Sequence, residues 1–295
     1  MIDLKGLSAF PITPSDRNGK VDAGALRAVV APLLEAGVDS VGLLGSTGTY
    51  PYLTREERRR AVETTVEQVA GRMPVLVGIG ALRTDDAVKL ANDARVGGAA
   101  VGLLAPVSYT PLTDEEVFQH FTTVVRESGL PVCIYDNPGT THFHFSADLV
   151  ARLGKVEGIV GLKSPAPEVN EIASHLSGLR RAVPRGFSLG YSADWNCVEA
   201  LLAGGDTWYS VLGGICPKIC VAIAQAVAKG DAPRARELNE RLRPVWDLFK
   251  THSGLRVAYA IAEKICAAKP PLPILPLPPA IVRTISETIA SLQQD

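Results

Sequence analysis

Cysteine is scarce in this sequence, and its distribution excludes a scaffold held together by disulfides. The 295 residues include five cysteines, an odd number, which are scattered through apolar segments. Cys216 and Cys220 lie one helical turn apart, but no CxxC pair or nearby histidine supports a metal site there. The pattern therefore predicts reduced thiols in the core of a cytosolic protein.

Net charge and long apolar runs are lacking as well. The formal net charge is -1, so the chain has no strong field that would attract a polyanion such as nucleic acid. No segment contains the roughly 18 uninterrupted apolar residues that a membrane span requires. The first ten residues lack the basic and then apolar order of an export signal. We expect a soluble, cytoplasmic protein that binds neither nucleic acid nor membranes.

Short apolar runs alternate with longer amphipathic stretches along most of the chain. The runs are nearly continuous in apolar residues, which is typical of parallel strands covered by helices on their outer face. Eight runs predict eight strands, at Gly6–Ile12, Asp39–Gly45, Pro74–Gly80, Ala99–Pro106, Pro131–Asn137, Gly158–Ser164, Arg180–Gly186 and Asp206–Gly213.

Helix boundaries are marked between these runs. Thr54 with Glu57, and Thr113 with Glu116, have the spacing of a capping box, and glycines precede several of the strands as helix ends. Eight βα units favour closure into a (β/α)8 TIM barrel. An open doubly wound sheet is the competing fold, but no GxGxxG turn follows the first strand.

The C-terminal part of the sequence predicts additional helices. They are expected at Pro217–Lys229, Ala232–Thr251 and Gly254–Ala268, followed by the proline-rich segment Lys269–Pro279 and a last helix. The leucine and isoleucine content of the proline-rich segment favours a packed connector over a polyproline ligand. We divide the chain into a barrel, residues 1–230, and a C-terminal helical extension, residues 231–295.

Polar residues at strand ends are the first candidates for chemistry, because a TIM barrel carries its active site at the carboxyl ends of its strands. Lys163 ends the run GIVGLK and shares one face with Ile159 and Gly161. If that face is the lumen, burial disfavours the charged amine and leaves a nucleophile for a ketone. The alternative is a structural lysine paired with a carboxylate such as Asp136.

Two further strand ends add to this hypothesis. Tyr135 ends the fifth run, where a phenol can pass protons to a substrate or simply pack in the barrel. The second run ends in a loop, Gly45–Gly48, that contains Ser46 and Thr47. Its hydroxyls and backbone N–H groups suit a carboxylate, although such a loop can also hold a phosphate or make a turn.

In combination, these motifs resemble the dihydrodipicolinate synthase and N-acetylneuraminate lyase superfamily of pyruvate-dependent class I aldolases. The resemblance covers nearly the whole chain, and it depends on AFPITP, GLLGSTG followed by LTREERR, PVLVGIG, LLAP followed by FQHF, YDNP and VGLK. Tyr135 and Lys163 also have the family's spacing of 28 residues.

The resemblance implies a homotetrameric enzyme acting on a small 2-keto acid. Lys163 would form the Schiff base, Tyr135 would transfer protons, and Ser46 and Thr47 would bind the keto-acid carboxylate. No metal or organic cofactor is implied.

Several positions depart from the family pattern. Thr49 replaces the glutamate that usually ends the GSTGE loop, and Ser164 replaces an acidic residue that commonly follows the lysine. Thr140 stands where dihydrodipicolinate synthases have an arginine that binds the second substrate's carboxylate. These changes favour a different aldehyde partner.

The second tyrosine of the family is displaced in this sequence. Synthases carry it in a PYYNxP motif, from which it reaches the neighbouring subunit's site, whereas this chain has PVSYTP. Ser108 takes that register and Tyr109 follows one residue later. Tyr109 can serve as the catalytic tyrosine only if a shift of the loop absorbs the offset.

Two histidines follow the fifth strand. His142 and His144 are spaced to project to one side of an extended segment, which fits metal binding, substrate contact or packing. Family precedent makes this segment a substrate-specificity loop, so His142 is a candidate substrate contact. Trp195 and Asn196 either line the same distal pocket or pack structurally.

The leading hypothesis is therefore a Schiff-base carbon–carbon lyase or synthase for pyruvate or a related 2-keto acid, with a hydroxy-aldehyde or sugar-acid partner. A true 4-hydroxy-tetrahydrodipicolinate synthase is one alternative. A non-catalytic keto-acid-binding paralogue is another, and a metal-dependent aldolase is a third, for which the two histidines would be the only apparent ligands.

Overall fold

Eight short parallel strands close into a barrel, with each strand paired to the next in sequence and β8 paired back to β1. The computed structural model describes residues 4–292. The strands are β1 (Gly6–Ala9), β2 (Ser40–Leu43), β3 (Val75–Gly78), β4 (Val101–Leu104), β5 (Val132–Tyr135), β6 (Ile159–Pro165), β7 (Ser188–Ser192) and β8 (Thr207–Ser210). The (β/α)8 TIM barrel predicted from the sequence is confirmed.

Helices surround the barrel and extend beyond it. In chain order they are α1 (Ala23–Ala36), α2 (Arg55–Val69), α3 (Thr84–Val96), α4 (Asp114–Ser128), α5 (Pro138–Thr141), α6 (Ala147–Leu153), α7 (Ile172–Ala182), α8 (Asp194–Leu202), α9 (Pro217–Ala228), α10 (Ala232–Arg241), α11 (Arg243–His252), α12 (Gly254–Cys266) and α13 (Pro279–Ser291). Within residues 4–292, no helix combines the length and the apolar character needed to cross a membrane.

The prediction for the seventh strand is wrong. Arg180–Gly186 forms the end of α7 and the turn after it, and the strand is Ser188–Ser192. The charged run RRAVPRG cannot fill a strand that is covered on both faces, because buried guanidinium groups would lose their hydration. The true strand, SLGYS, contains small residues on its inner face and therefore lacks the continuous apolar pattern of the others.

The predicted helix starts are confirmed, with one difference in detail. Thr113 and Glu116 form a complete capping box at the start of α4. Thr54 likewise caps α2 by accepting from the Glu57 backbone N–H, but the Glu57 carboxylate accepts instead from the backbone N–H of Val21, at 2.7 Å. This bond ties α2 to the segment that precedes α1.

The C-terminal helices share a continuous core with the barrel helices. Trp246 and Phe249 of α11 and Ile285 of α13 belong to the same buried apolar cluster as the helices that cover the strands. The single helix expected at Ala232–Thr251 is interrupted at Leu242, giving α10 and α11. The division at residue 230 stays a prediction, and its outer ends, 1–3 and 293–295, lie outside the described residues.

The proline-rich connector packs only in part. Leu277 contacts the core, whereas Leu272 and Leu275 are exposed. All five cysteines are free thiols, of which Cys133, Cys197 and Cys220 are buried and the other two are half-buried. Three of the five thiols therefore fit the predicted core location fully.

Candidate active site

Lys163 and Tyr135 lie side by side at the carboxyl end of the barrel. They are register partners on β6 and β5, so their side chains project to the same face of the sheet. Both are buried, with Lys163 only 5% exposed. The Lys163 Nζ lies 4.1 Å from the centroid of the Tyr135 ring. The two candidates that the sequence placed on neighbouring strands therefore meet in space.

Two more aromatic rings surround the lysine. The Lys163 Nζ lies 5.4 Å from the ring centroid of Phe10 and 5.9 Å from that of Tyr209, and these two rings meet edge to face. Glycines make room for them: a Cβ at Gly42 would lie 2.2 Å from the Phe10 ring, and one at Gly190 would lie 2.4 Å from the Tyr209 ring. The amine thus lies in a pocket walled by aromatic faces.

The structure does not show the structural ion pair considered for Lys163. Across residues 4–292, no carboxylate lies within the 4.0 Å ion-pair distance of its amine. Asp136, the candidate partner, has a side-chain oxygen that is buried without a hydrogen-bond partner. Burial raises the pKa of Asp136 to about 6, against the opposing charges of His144 and Lys163.

A cluster of three polar groups adjoins the lysine. Ser46 Oγ and Tyr135 Oη are 2.9 Å apart and hydrogen-bonded, and the Asn137 amide donates to both, at 3.0 Å to Ser46 and 3.3 Å to Tyr135. Asn137 was not a sequence candidate, because an asparagine after a strand also fits a turn.

The loop after β2 is held in a constrained conformation. Leu44 and Thr49, on either side of Gly45–Gly48, have positive φ angles of 55° and 53°, a backbone region that non-glycine residues rarely adopt. Thr47 is buried and Ser46 half-buried. Thr49, which replaces the family's glutamate, is buried and its hydroxyl lies 3.3 Å from the Tyr259 hydroxyl of α12. Through this contact, α12 supports the loop.

The remaining candidates, unlike the buried lysine, have exposed side chains. Tyr109 is 97% exposed, and the neighbouring Ser108 hydroxyl donates to the Thr110 carbonyl. Thr140 is exposed and its hydroxyl donates to the Asn137 carbonyl, at 3.2 Å. His142 is exposed and has a positive φ of 56°.

The segment around His142 alternates between buried and exposed side chains. Phe143 and Phe145 stack edge to face on the inner side, while His142 and His144 point outward. Across the described residues, no group of three or more histidine, cysteine, aspartate or glutamate side chains is arranged to hold a metal ion. Asn196, in the first turn of α8, is buried and donates to the Pro167 carbonyl at 2.9 Å.

The sequence and the fold are similar to those of known proteins. A sequence profile described as the dihydrodipicolinate synthetase family matches residues 3–291. The chain belongs to the dihydrodipicolinate synthetase family. Members of this family are lyases and synthases of the class I aldolase type, so this family member is an enzyme of that class.

Individual members of the dihydrodipicolinate synthetase family are similar to this chain in sequence and in structure. A 4-hydroxy-tetrahydrodipicolinate synthase from Thiobacillus denitrificans is 35% identical over 269 residues, which cover 91% of this chain and 89% of the relative. A dihydrodipicolinate synthase from Agrobacterium tumefaciens has a TM-score of 0.96 and 49% identity, with 98% of both chains covered.

A third relative was solved with a ligand. It is a chloride-inhibited dihydrodipicolinate synthase from Acinetobacter baumannii in complex with pyruvate, with a TM-score of 0.90 and 25% identity. The superposition covers 98% of this chain and 99% of that one. The similarity to all three relatives therefore extends over nearly the whole barrel and its C-terminal helices.

Proposed function

We propose that this enzyme forms a Schiff base between Lys163 and pyruvate or a related 2-keto acid, and then makes or breaks a carbon–carbon bond. The observation that carries the proposal is the buried Lys163 amine beside Tyr135, with no carboxylate within ion-pair distance in the described part of the chain. A buried amine that lies beside a phenol, with no carboxylate bonded to it, is placed to attack a ketone as a nucleophile.

Each neighbouring group has a role in this chemistry. The deprotonated Lys163 nitrogen attacks the keto carbon, and loss of water from the resulting carbinolamine gives an iminium. Tyr135 supplies and accepts the protons of these steps through its hydroxyl. Ser46 and Thr47 lie on the constrained loop beside it, where their hydroxyls and N–H groups can bind the substrate carboxylate.

For the second substrate we propose a hydroxy-aldehyde or a sugar acid. Thr140 stands at the position of the synthase arginine, and its hydroxyl is engaged with the Asn137 carbonyl. A neutral hydroxyl cannot reproduce the bidentate bond of a guanidinium with a carboxylate. The relatives named 4-hydroxy-tetrahydrodipicolinate synthase support the second candidate, synthesis from aspartate semialdehyde.

The Schiff base is tested by reductive trapping. Incubation with pyruvate and borohydride should label Lys163, located by peptide mapping, and Lys163→Arg should abolish the label. A label on another lysine, or no label with any 2-keto acid, would contradict the proposal. The absence of any adduct would instead favour a binding protein or a metal-dependent aldolase, which inhibition by a chelator would then distinguish.

The two partner classes are separated by a substrate panel. The kcat/KM for condensation of pyruvate with aspartate semialdehyde is compared with the kcat/KM for uncharged hydroxy-aldehydes. Where the equilibrium favours cleavage, the reverse reaction is measured. Loss of a charged hydrogen bond of about 1.5 to 3 kcal/mol should weaken selection of aspartate semialdehyde by about ten- to a hundred-fold. A wide preference for aspartate semialdehyde would make the second candidate correct.

A further inference from the structure

Asn137 is the polar residue nearest to the Tyr135 hydroxyl that the proposed chemistry leaves without a role. We propose that Asn137 is a positioning residue that fixes the proton arrangement of the Ser46 and Tyr135 hydroxyls and stabilises negative charge on Tyr135. This inference rests on the proposed Schiff-base function, and it assigns to the chain's own amide a part in proton transfer.

The contacts form a closed triangle. The Asn137 Nδ2 lies 3.0 Å from Ser46 Oγ and 3.3 Å from Tyr135 Oη, while the two hydroxyl oxygens are 2.9 Å apart. These lengths are within or near the usual range for hydrogen bonds. The amide therefore contacts both groups at once from one side.

The backbone of Asn137 is held firmly enough to orient this amide. Its carbonyl accepts from the N–H groups of Thr140 and Thr141, at 2.9 Å and 3.0 Å, and from both threonine hydroxyls, at 3.2 Å and 3.1 Å. Asn137 also directly precedes Pro138, the first residue of α5, whose ring restricts the preceding backbone. Such a preorganised donor needs no rearrangement when charge develops.

The three groups of the triangle share a limited number of protons. The Asn137 Nδ2 group has two hydrogens and can only donate, so both hydroxyl oxygens act as acceptors toward it. The Ser46–Tyr135 bond then uses one of the two hydroxyl protons. In the described part of the chain neither hydroxyl has another hydrogen-bond partner. One proton is consequently left to point at a bound substrate.

The free proton can belong to either hydroxyl. When Ser46 donates to Tyr135, the phenol proton is available for the substrate. It can protonate the carbinolamine hydroxyl, which then leaves as water. When Tyr135 donates to Ser46, the serine proton is available for the substrate carboxylate. After Tyr135 has given up its proton, the Asn137 N–H and the Ser46 O–H both donate to the phenolate oxygen and stabilise its charge.

The test uses a partial reaction that does not depend on the unknown second substrate. Exchange of the methyl hydrogens of pyruvate with D2O, followed by NMR, requires the iminium to lose a carbon-bound proton and regain a deuteron. Asn137→Leu and Asn137→Asp are compared with the wild type between pH 6 and 9. Asn92→Leu, an asparagine on the outer helix α3 that donates to the Val88 carbonyl, is the matched control.

The two variants should behave differently. Asn137→Leu removes the donor and should lower the exchange rate by roughly tenfold to a hundredfold across this pH range, because a positioned donor is lost. In Asn137→Asp the introduced carboxylate accepts both hydroxyl protons. The reduction in exchange rate should therefore be larger at high pH and become smaller as the carboxyl group is protonated. Borohydride labelling of Lys163 should persist in both, and the control should match the wild type.

Two results would overturn the inference while the proposed function stands. One is exchange within about twofold of wild type in both variants, with Lys163 still labelled. The other is an equal loss with parallel pH profiles, which a purely structural role would give. If Asn137→Leu fails to fold, the pH profile of Asn137→Asp, which has the size of the native residue, decides alone. Failure to label the wild type would remove the proposed function and this inference together.

Discussion

Asp136 lies one residue beyond Tyr135 and carries a charge that the fold does not satisfy. One of its carboxyl oxygens is buried without a hydrogen-bond partner, and burial raises its pKa to about 6. The nearest opposing charges are those of His144 and Lys163. A carboxyl group with a raised pKa retains a proton in the folded state that it has already lost in the unfolded state. Its contribution to stability therefore falls as pH rises from about 4 to about 6.

The substitution Asp136→Asn removes this titration without changing the shape of the side chain. The free energy of unfolding of the variant, minus that of the wild type, should increase from pH 4 to pH 7 by up to about 3 kcal/mol, the equivalent of a pKa shift of about 2. Urea unfolding at a series of pH values measures the difference. A difference that stays constant or decreases over this window would show that Asp136 is solvated in the folded protein.

At the scale of single residues, the sequence predicted the polar ends of strands better than their surroundings. Lys163 and Tyr135 could be found because each ends an apolar run. Phe10 and Tyr209 could not, because they face the lysine only after β8 closes onto β1. Asn137 was missed for a different reason: its role depends on the distance between two loops, which no local pattern encodes.

The secondary-structure elements were predictable where their boundaries depend on local chemistry. Capping threonines gave the starts of α2 and α4, and the apolar runs gave seven of the eight strands. β7 was missed because its inward side chains are small and do not stand out as apolar. The break between α10 and α11 was missed because helical periodicity continues across it.

The ends of two helices allow a pair of substitutions that should change the free energy of unfolding in opposite directions. Ala70 ends α2 and Gly129 ends α4 in the same left-handed conformation, with φ angles of 49° and 64°, and both are exposed. A side chain costs about 1 kcal/mol in this region. Ala70→Gly should therefore increase the free energy of unfolding by about 1 kcal/mol, and Gly129→Ala should decrease it by a similar amount.

Chemical denaturation of both variants at neutral pH measures this pair. A Cβ at Gly129 would have no atom within 4 Å, so its cost comes from the backbone alone. Changes of the same sign in the two variants would contradict the explanation and indicate an effect on the unfolded chain.

At the scale of the whole molecule, Tyr109 is an exposed aromatic side chain for which we predict a role between subunits. Its side chain is 97% exposed, and Tyr52, on the loop after β2, is a second exposed tyrosine. The homotetramer implied by the resemblance would let Tyr109 reach a neighbouring subunit's site. Sedimentation velocity should then give about four times the chain mass of 31.3 kDa.

Mixing two inactive variants tests the shared site. The Lys163→Arg and Tyr109→Phe variants are dissociated, mixed and allowed to reassociate. In a mixed dimer, one of the two sites then combines an intact Lys163 with an intact Tyr109 from the other chain. Random pairing should restore roughly a quarter of wild-type turnover. Tyr52→Phe should leave turnover unchanged. No recovery, when each variant alone is assembled and inactive, would mean that Tyr109 acts within its own chain or only stabilises the assembly.

The bond between Thr49 and Tyr259 also has a consequence for the order of events during synthesis. The two hydroxyls are 210 residues apart in sequence, and the loop that contains Thr49 is made early. At roughly 10 residues per second, about 20 seconds of translation separate the two residues. The loop therefore completes its support only when α12 has left the ribosome. A nascent chain therefore lacks this support for the Gly45–Gly48 loop until most of the protein has been made.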